Sequence, residues 1–155
     1  MRPFVFSCDA HIVEPPELFR EKMPDHLQPF VIHSNFDGKY NSTYVGKTCL
    51  LRMPVDFFKH KTGYDDGDPA KASVNTKRRG TRDLDLRQED MDRDGVDAEL
   101  VFPSLGLMLP RIEDREGQRV ACQIYNDWAW NYTNPVRERL VPAAMIPCID
   151  FDDAL

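Results

Sequence analysis

The stretch Asp9-Ala10-His11-Ile12-Val13-Glu14-Pro15-Pro16, directly after the apolar run Phe4-Val5-Phe6-Ser7-Cys8, carries most of the information about the fold. A short apolar run that ends at a breaker is typical of a buried strand, so residues 4–8 are predicted as the first strand. Asp9 and His11 are two residues apart and should project to the same side of extended backbone. A carboxylate beside an imidazole suits Zn²⁺ or Mn²⁺, although the pair could also simply cap a turn.

The composition is that of an ordinary globular domain. The chain has 155 residues, of which 41% are hydrophobic and 30% charged, and its net charge is -6. An acidic chain argues against nucleic-acid binding, and the absence of an 18-residue apolar run argues against a membrane span. The four cysteines form no C-x-x-C pair, so we expect reduced thiols and a cytoplasmic location. The expected partner is a small-molecule substrate, with no nucleic-acid or membrane partner.

Pro16 to Gln28 should form a short helix that Pro24 kinks or splits.

An insertion is predicted over about residues 30–82. Residues 30–53 contain β-forming runs separated by turn residues, which predicts a β-hairpin outside the main sheet. Residues 59–82 are polar and contain few large apolar side chains, which indicates a mobile loop or lid.

The rest of the chain alternates regularly between helix and strand. Gly95 suits the left-handed residue that ends a helix, and Asp85 with Gln88 resembles a capping box at its start. Apolar residues recur every four positions along the second long helix, and prolines end it and the strands. The predicted elements are a helix over Asp83–Asp94, a strand over Ala98–Phe102, a helix over residues 114–134 and a strand over residues 140–146.

This alternation predicts an α/β fold with a parallel sheet. Successive right-handed crossovers should place residues 4–8, 98–102 and 140–146 side by side in that order. A complete (β/α)₈ barrel needs roughly 250 residues. The expected fold is therefore a partial TIM-like (β/α)₈ barrel, with about three parallel strands, their helices and the β-hairpin and loop insertion.

Four motifs, in this order, are similar to those of a known family. They are Asp9-Ala10-His11 with Glu14-Pro15-Pro16, the run Asp90 to Asp97, Phe102-Pro103-Ser104-Leu105-Gly106, and Tyr125-Asn126-Asp127-Trp128 followed by Arg139-Leu140-Val141-Pro142. The chain resembles the N-terminal part of amidohydrolase-related proteins, in the branch that includes aminocarboxymuconate-semialdehyde and hydroxybenzoate decarboxylases. The resemblance implies that residues 1–155 are the N-terminal portion of a metal-dependent barrel.

The resemblance also implies a metal site. In that family a first-strand H-x-H or E-x-H supplies two ligands, and here Asp9 stands where the family has His or Glu, followed by His11. An alternative alignment makes His11 the first histidine and places Val13 at the second position. Glu14 could be a ligand from the turn, could hold His11, or could cap the following helix. The implied cofactor is a divalent metal, zinc or alternatively manganese.

Two classes of function follow. The first is a metal-dependent hydrolase or decarboxylase (a lyase) for a small carboxylate, amide or ester substrate, with Ser104 as a substrate contact or merely a turn residue. No catalytic residue is identified. The second is a non-catalytic, truncated or partner-requiring fragment of such a barrel, which would be completed by a C-terminal portion or by a homo-oligomer. A small, complete α/β binding domain is a third possibility.

Overall fold

The structure, a computed structural model, describes residues 2–54 and 80–154 and contains two separate sheets. One sheet is parallel and the other antiparallel, and α-helices and short 3₁₀ turns pack around them. The strands are β1 (Phe6–His11), β2 (Ile32–Phe36), β3 (Tyr40–Val45), β4 (Thr48–Pro54), β5 (Ala98–Phe102) and β6 (Leu140–Pro142). The α-helices are α1 (Leu18–Lys22), α2 (Leu84–Asp94) and α3 (Arg115–Thr133), and the 3₁₀ turns lie at Asp25–Phe30, Gly106–Arg111, Asn134–Val136 and Phe151–Ala154.

The parallel sheet has the predicted strand order. β5 lies between β1 and β6, and both pairings are parallel. β1 begins two residues later than predicted and continues to His11, so Asp9 and His11 lie inside the strand rather than after it. The register shifts between Ser7 and Ala10, as in a β-bulge. Mixed α/β architecture with a three-stranded parallel sheet is therefore confirmed.

The two faces of the parallel sheet differ in burial. Glu99 and Val101 point to one face, where Val101 is fully buried and Glu99 pairs with Arg87 of α2. Ala98, Leu100 and Phe102 alternate with these residues along β5 and therefore point to the opposite face. Their partners in the neighbouring strands lie on that face too, and these partners are Phe6, Val141 and His11. Phe6 and Val141 are 48% and 47% exposed. Among the described residues, helices therefore cover one face, and Phe6 and Val141 stay half-exposed on the face that carries His11.

Strand β6 is shorter than predicted and ends at Pro142 instead of residue 146. The Ala143 N–H still donates to the Val101 carbonyl, and after it the chain leaves the sheet. Asn126 of α3 then binds the backbone of this segment, since its side-chain amide donates to the Met145 carbonyl and accepts from the Met145 N–H. Hydrogen bonds to the Asn126 side chain at Met145 thus stand in place of the strand pairing that the apolar sequence predicted for residues 143–146.

Helix ends follow local chemistry, with one correction. Gly95 has φ 73° and ends α2 in the left-handed conformation, as predicted. The predicted capping box at Asp85 is wrong: α2 is capped by Asp83, whose carboxylate accepts from the N–H groups of Asp85 and Leu86. As predicted, Pro24 splits the segment Pro16 to Gln28, and the structure has α1 before it and a 3₁₀ turn after it.

The segment predicted as an insertion contains a three-stranded antiparallel sheet rather than a hairpin. β2 pairs with β3 across the Asp37-Gly38 turn, and β3 pairs with β4 across the Gly46 turn. The Asp37 carboxylate accepts from the N–H groups of Lys39 and Tyr40 and closes the first turn. The predicted polar loop at 59–82 lies almost wholly outside the described residues, so its mobility and the assignment of residues 30–82 as an insertion stay predictions.

Helix α3 organises the core of the described residues. Its apolar side packs against α1, β6 and the 3₁₀ turn that follows β5. Tyr125 is the largest fully buried side chain, and Ala121, Cys122 and Ala129 lie on the same buried side. Among the described helices, none is long and apolar enough to cross a membrane.

Candidate functional site

His11 is held by a backbone hydrogen bond at the C-terminal end of β1. Its Nδ1 lies 2.8 Å from the carbonyl oxygen of Pro103, directly after β5. Because that carbonyl oxygen can only accept, Nδ1 carries the proton and donates it. In the neutral ring, Nε2 then has a free lone pair, and it lies 3.9 Å from Oδ1 of Asp9. The predicted pairing of Asp9 and His11 on one side of the strand is therefore confirmed.

This geometry fits two ligands of one divalent ion after a small adjustment. Ligand atoms about 2.0–2.2 Å from a tetrahedral metal are roughly 3.3–3.5 Å apart. The observed 3.9 Å is slightly longer, and the Asp9 side chain is 84% exposed, so it can turn towards His11 without disturbing the core. The backbone hydrogen bond to Nδ1 is also the support that metal-bound histidines normally have.

Glu14 is placed elsewhere, among backbone N–H groups. Its side chain is buried, and Oε2 accepts from the N–H groups of Ser104 and Leu105 at 3.2 and 2.8 Å. Oε1 accepts from the Gly106 N–H at 2.8 Å. The carboxylate therefore closes the start of the 3₁₀ turn after β5. Within residues 2–54 and 80–154, no three His, Cys, Asp or Glu side chains are grouped to hold a metal ion.

Ser104 lines a cleft between the antiparallel sheet and the ends of β1 and β5. The cleft has a volume of about 430 Å³, within the usual range for small-molecule sites. Val13 and Met108 contribute apolar surface, and Asn41 and Arg82 contribute polar groups. We call this space the Ser104 cleft. Its lining includes Glu14 but neither Asp9 nor His11.

Arg87 supports the strand end and was not predicted from the sequence. Its side chain is only 8% exposed, and it pairs with Glu99 of β5 at 2.7 Å. Its Nη1 donates to the His11 carbonyl at 2.9 Å and to the Gly80 carbonyl at 3.3 Å. One guanidinium thus joins α2, β1 and β5 directly behind His11. A single arginine in an acidic helix has no sequence signature that distinguishes it from a solvated one.

Two amide side chains of α3 hold the segment that follows β6. Asn126 binds Met145, as described above, and so has a structural role. Gln118 is 1% exposed, and its Oε1 accepts from the N–H groups of Cys148 and Ile149. Its Nε2 donates to the Ile112 carbonyl. Gln118 lies eight residues before Asn126, so the two amides share one side of α3. This spacing is the sequence signal that could have indicated that both side chains hold the segment after β6.

Tyr125 lies in the core close to Glu14. Burial, with a smaller contribution from the charge of Glu14, raises the pKa of Tyr125 well above its usual value. The phenol is therefore neutral at physiological pH. Its hydroxyl has no hydrogen-bond partner among the residues that the structure describes.

The fold is similar to that of a protein of known structure. A crystal structure of an amidohydrolase from Mycobacterium avium subsp. paratuberculosis K-10 aligns with this chain with a TM-score of 0.69 and 17% sequence identity. The alignment covers 99% of this chain and 45% of that protein, so the chain spans about half of its length. No protein-family model matches the chain, and no curated protein matches it.

The structural similarity agrees with the amidohydrolase resemblance expected from the four sequence motifs. At this level of identity it concerns the fold alone. The narrower decarboxylase-like branch therefore stays a prediction.

Proposed function

We propose that this chain carries the first-strand part of a divalent-metal site in an amidohydrolase-like hydrolase or decarboxylase. One observation carries the proposal: the Nδ1–H of His11 is bound to the Pro103 carbonyl, and Nε2 is left facing Asp9 at the C-terminal end of a parallel strand. That end of the strands is where barrel enzymes keep their active sites. A partial (β/α)₈ barrel is the architecture that this proposal requires.

Two residues would bind the metal, and three others would hold the site in place. His11 and Asp9 would bind the metal, while Pro103 and Arg87 hold the histidine through its ring and its carbonyl. Glu14, predicted as a ligand, would instead position the turn after β5. When bound, the metal would polarise a substrate carbonyl or carboxylate and activate water.

The substrate would be a small carboxylate, amide or ester bound near the Ser104 cleft. The N–H of Ser104 is occupied by Glu14, so its hydroxyl is the group that would contact substrate. Zinc is the metal proposed first, with manganese as the alternative, since an imidazole and a carboxylate suit both ions. The four cysteines are unpaired, which fits a reducing compartment such as the cytoplasm.

Two ligands are too few for a catalytic zinc site, which uses three protein ligands. We propose that the others come from further strands of the same barrel, or from a second copy of the chain in a homo-oligomer. The half-exposed Phe6 and Val141 on the face of His11 support this, because additional strands would bury them. Light scattering after gel filtration, with and without Zn²⁺, distinguishes a monomer from a metal-linked dimer.

The metal proposal is tested by zinc titration calorimetry on the wild-type chain, His11→Ala and His26→Ala. His26 is a matched control because it also faces a carboxylate, Glu116, at 3.4 Å, but its ring has no backbone support among the described residues. Because the chain supplies only two of the proposed ligands, we expect weak zinc binding by the wild type and at least about tenfold weaker binding by His11→Ala. His26→Ala should leave it unchanged. Equal affinities for wild type and His11→Ala would show that the site is assigned to the wrong residue.

A further inference from the structure

A second, larger cavity lies away from the Ser104 cleft. It has a volume of about 790 Å³ and lies between the 3₁₀ turn that precedes β2, the turn that joins β3 to β4, and the end of the 3₁₀ turn after β5. Arg20, Lys47 and Arg111 are among its lining residues; we call these three its rim and the whole space the basic cavity. It shares none of its lining residues with the Ser104 cleft.

The charge of the basic cavity is opposite to that of the whole chain. Its lining contains three cationic side chains and one carboxylate, that of Glu113, whereas the chain has a net charge of -6. Within the described residues, Lys47 and Arg111 have no ion-pair partner, and Arg20 pairs only with the exposed Glu17 at 3.3 Å. Cations that meet around one concavity, two of them without an ion-pair partner among the described residues, favour an anionic ligand.

The basic cavity also has apolar lining residues, which we call its floor. Phe30, Val31 and Val45 line it, and Val31 is 4% exposed. A fully hydrated inorganic anion gains nothing from such a floor. An anion with an apolar body can bury that body there and leave its charge at the rim.

The walls are held by hydrogen bonds that do not involve the cationic groups. The Gly46 N–H donates to the Val31 carbonyl, which keeps the turn that carries Lys47 against the floor. The Gln28 amide donates to the carbonyls of Arg20 and Met23 and fixes the end of α1. A preformed cavity loses less conformational entropy when a ligand binds.

We propose that the basic cavity binds a small organic carboxylate with an apolar body, for which benzoate is the simplest probe. The carboxylate would lie between Lys47 and Arg111, and the ring would lie against Val31 and Phe30. This site is independent of the proposed metal site, since neither Asp9 nor His11 lines it. A failed zinc titration would leave it unaffected.

The test is an amide NMR titration of the ¹⁵N-labelled chain with sodium benzoate at constant ionic strength. We expect the largest shifts at Val31, Gly46 and Lys47. Lys47→Gln and Arg111→Gln should each weaken binding by about five- to tenfold, because each removes one charge-assisted contact. Lys39→Gln, which removes an exposed cation that lines neither cavity, is the matched control and should bind benzoate like the wild type. Circular dichroism verifies that each variant is folded.

Two further probes separate the contributions of charge and apolar surface. Benzamide keeps the ring without the charge and should bind at least about tenfold more weakly than benzoate. Inorganic phosphate keeps the charge without the ring and should also bind more weakly. Equal binding of benzamide, or phosphate binding as tightly as benzoate, would overturn the proposal. So would benzoate shifts centred on the Ser104 cleft, or unchanged affinity in both rim variants.

Discussion

Glu14→Gln should destabilise the fold far more than a glutamate substitution normally does. The Glu14 carboxylate is 2% exposed and accepts three backbone hydrogen bonds, from Ser104, Leu105 and Gly106. A glutamine side chain can place its carbonyl oxygen at only one of the two carboxylate positions. If it replaces Oε2, its NH₂ group faces the Gly106 N–H, and two donors meet.

The magnitude follows from these three bonds. Hydrogen bonds to a charged group contribute about 1.5–3 kcal/mol each and neutral ones about 0.5–1.5 kcal/mol, so two weakened bonds lose about 2 kcal/mol together. One buried N–H without an acceptor costs about 1–3 kcal/mol more. Relief from burying a charge offsets part of this loss. We expect a net loss of about 2–4 kcal/mol in the free energy of unfolding.

Urea unfolding followed by circular dichroism measures this loss by linear extrapolation, provided that the m-value is unchanged. Glu17→Gln is the matched control. It removes a carboxylate three residues along the chain whose partner, Arg20, is also exposed, so it should change stability by less than about 0.5 kcal/mol. A loss below about 1 kcal/mol in Glu14→Gln, or equal losses in both variants, would refute the assignment of Glu14 as the group that closes this turn.

Three other outcomes are expected. Asp83→Ala should cost about 1 kcal/mol through loss of the α2 cap, measured by urea unfolding, whereas Asp85→Ala should cost less than half of that. The hydrogen bond from the Val5 N–H, and then the pairing with arginine, hold the pKa of Asp97 below its usual value. Its stabilisation is therefore lost as the pH falls through the folded-state pKa, and Asp97→Asn should flatten the decline in stability below about pH 4. Burial raises the pKa of Cys122 to about 11. Iodoacetamide should therefore label the exposed Cys8, Cys49 and Cys148 before Cys122, as followed by mass spectrometry. Labelling of all four cysteines at the same rate would contradict this.

Two helix ends and the order of the parallel strands were predictable from the sequence, whereas the bounds of β1 and β6 and the cap of α2 were not. Gly95 ends α2 because a left-handed residue is needed there, and Pro24 divides the first helix because it lacks an N–H. The order β1-β5-β6 was predictable because helix–strand alternation permits essentially one handedness of crossover. These features depend on neighbouring residues or on chain chirality, which a sequence displays directly. The same patterns placed Asp9 and His11 on one side of the first strand.

The tertiary structure alone decided the roles of the polar side chains around the strand ends. Glu14 was a plausible metal ligand in the sequence, but its three donors lie about 90 residues away and are brought to it by the β1–β5 pairing. Arg87 reaches the His11 carbonyl across 76 residues, and Gln118 binds the segment after β6 across 30. The basic cavity likewise forms only when three separate turns meet. Buried polar groups require partners, but local sequence carries no signal that identifies a partner brought near by folding.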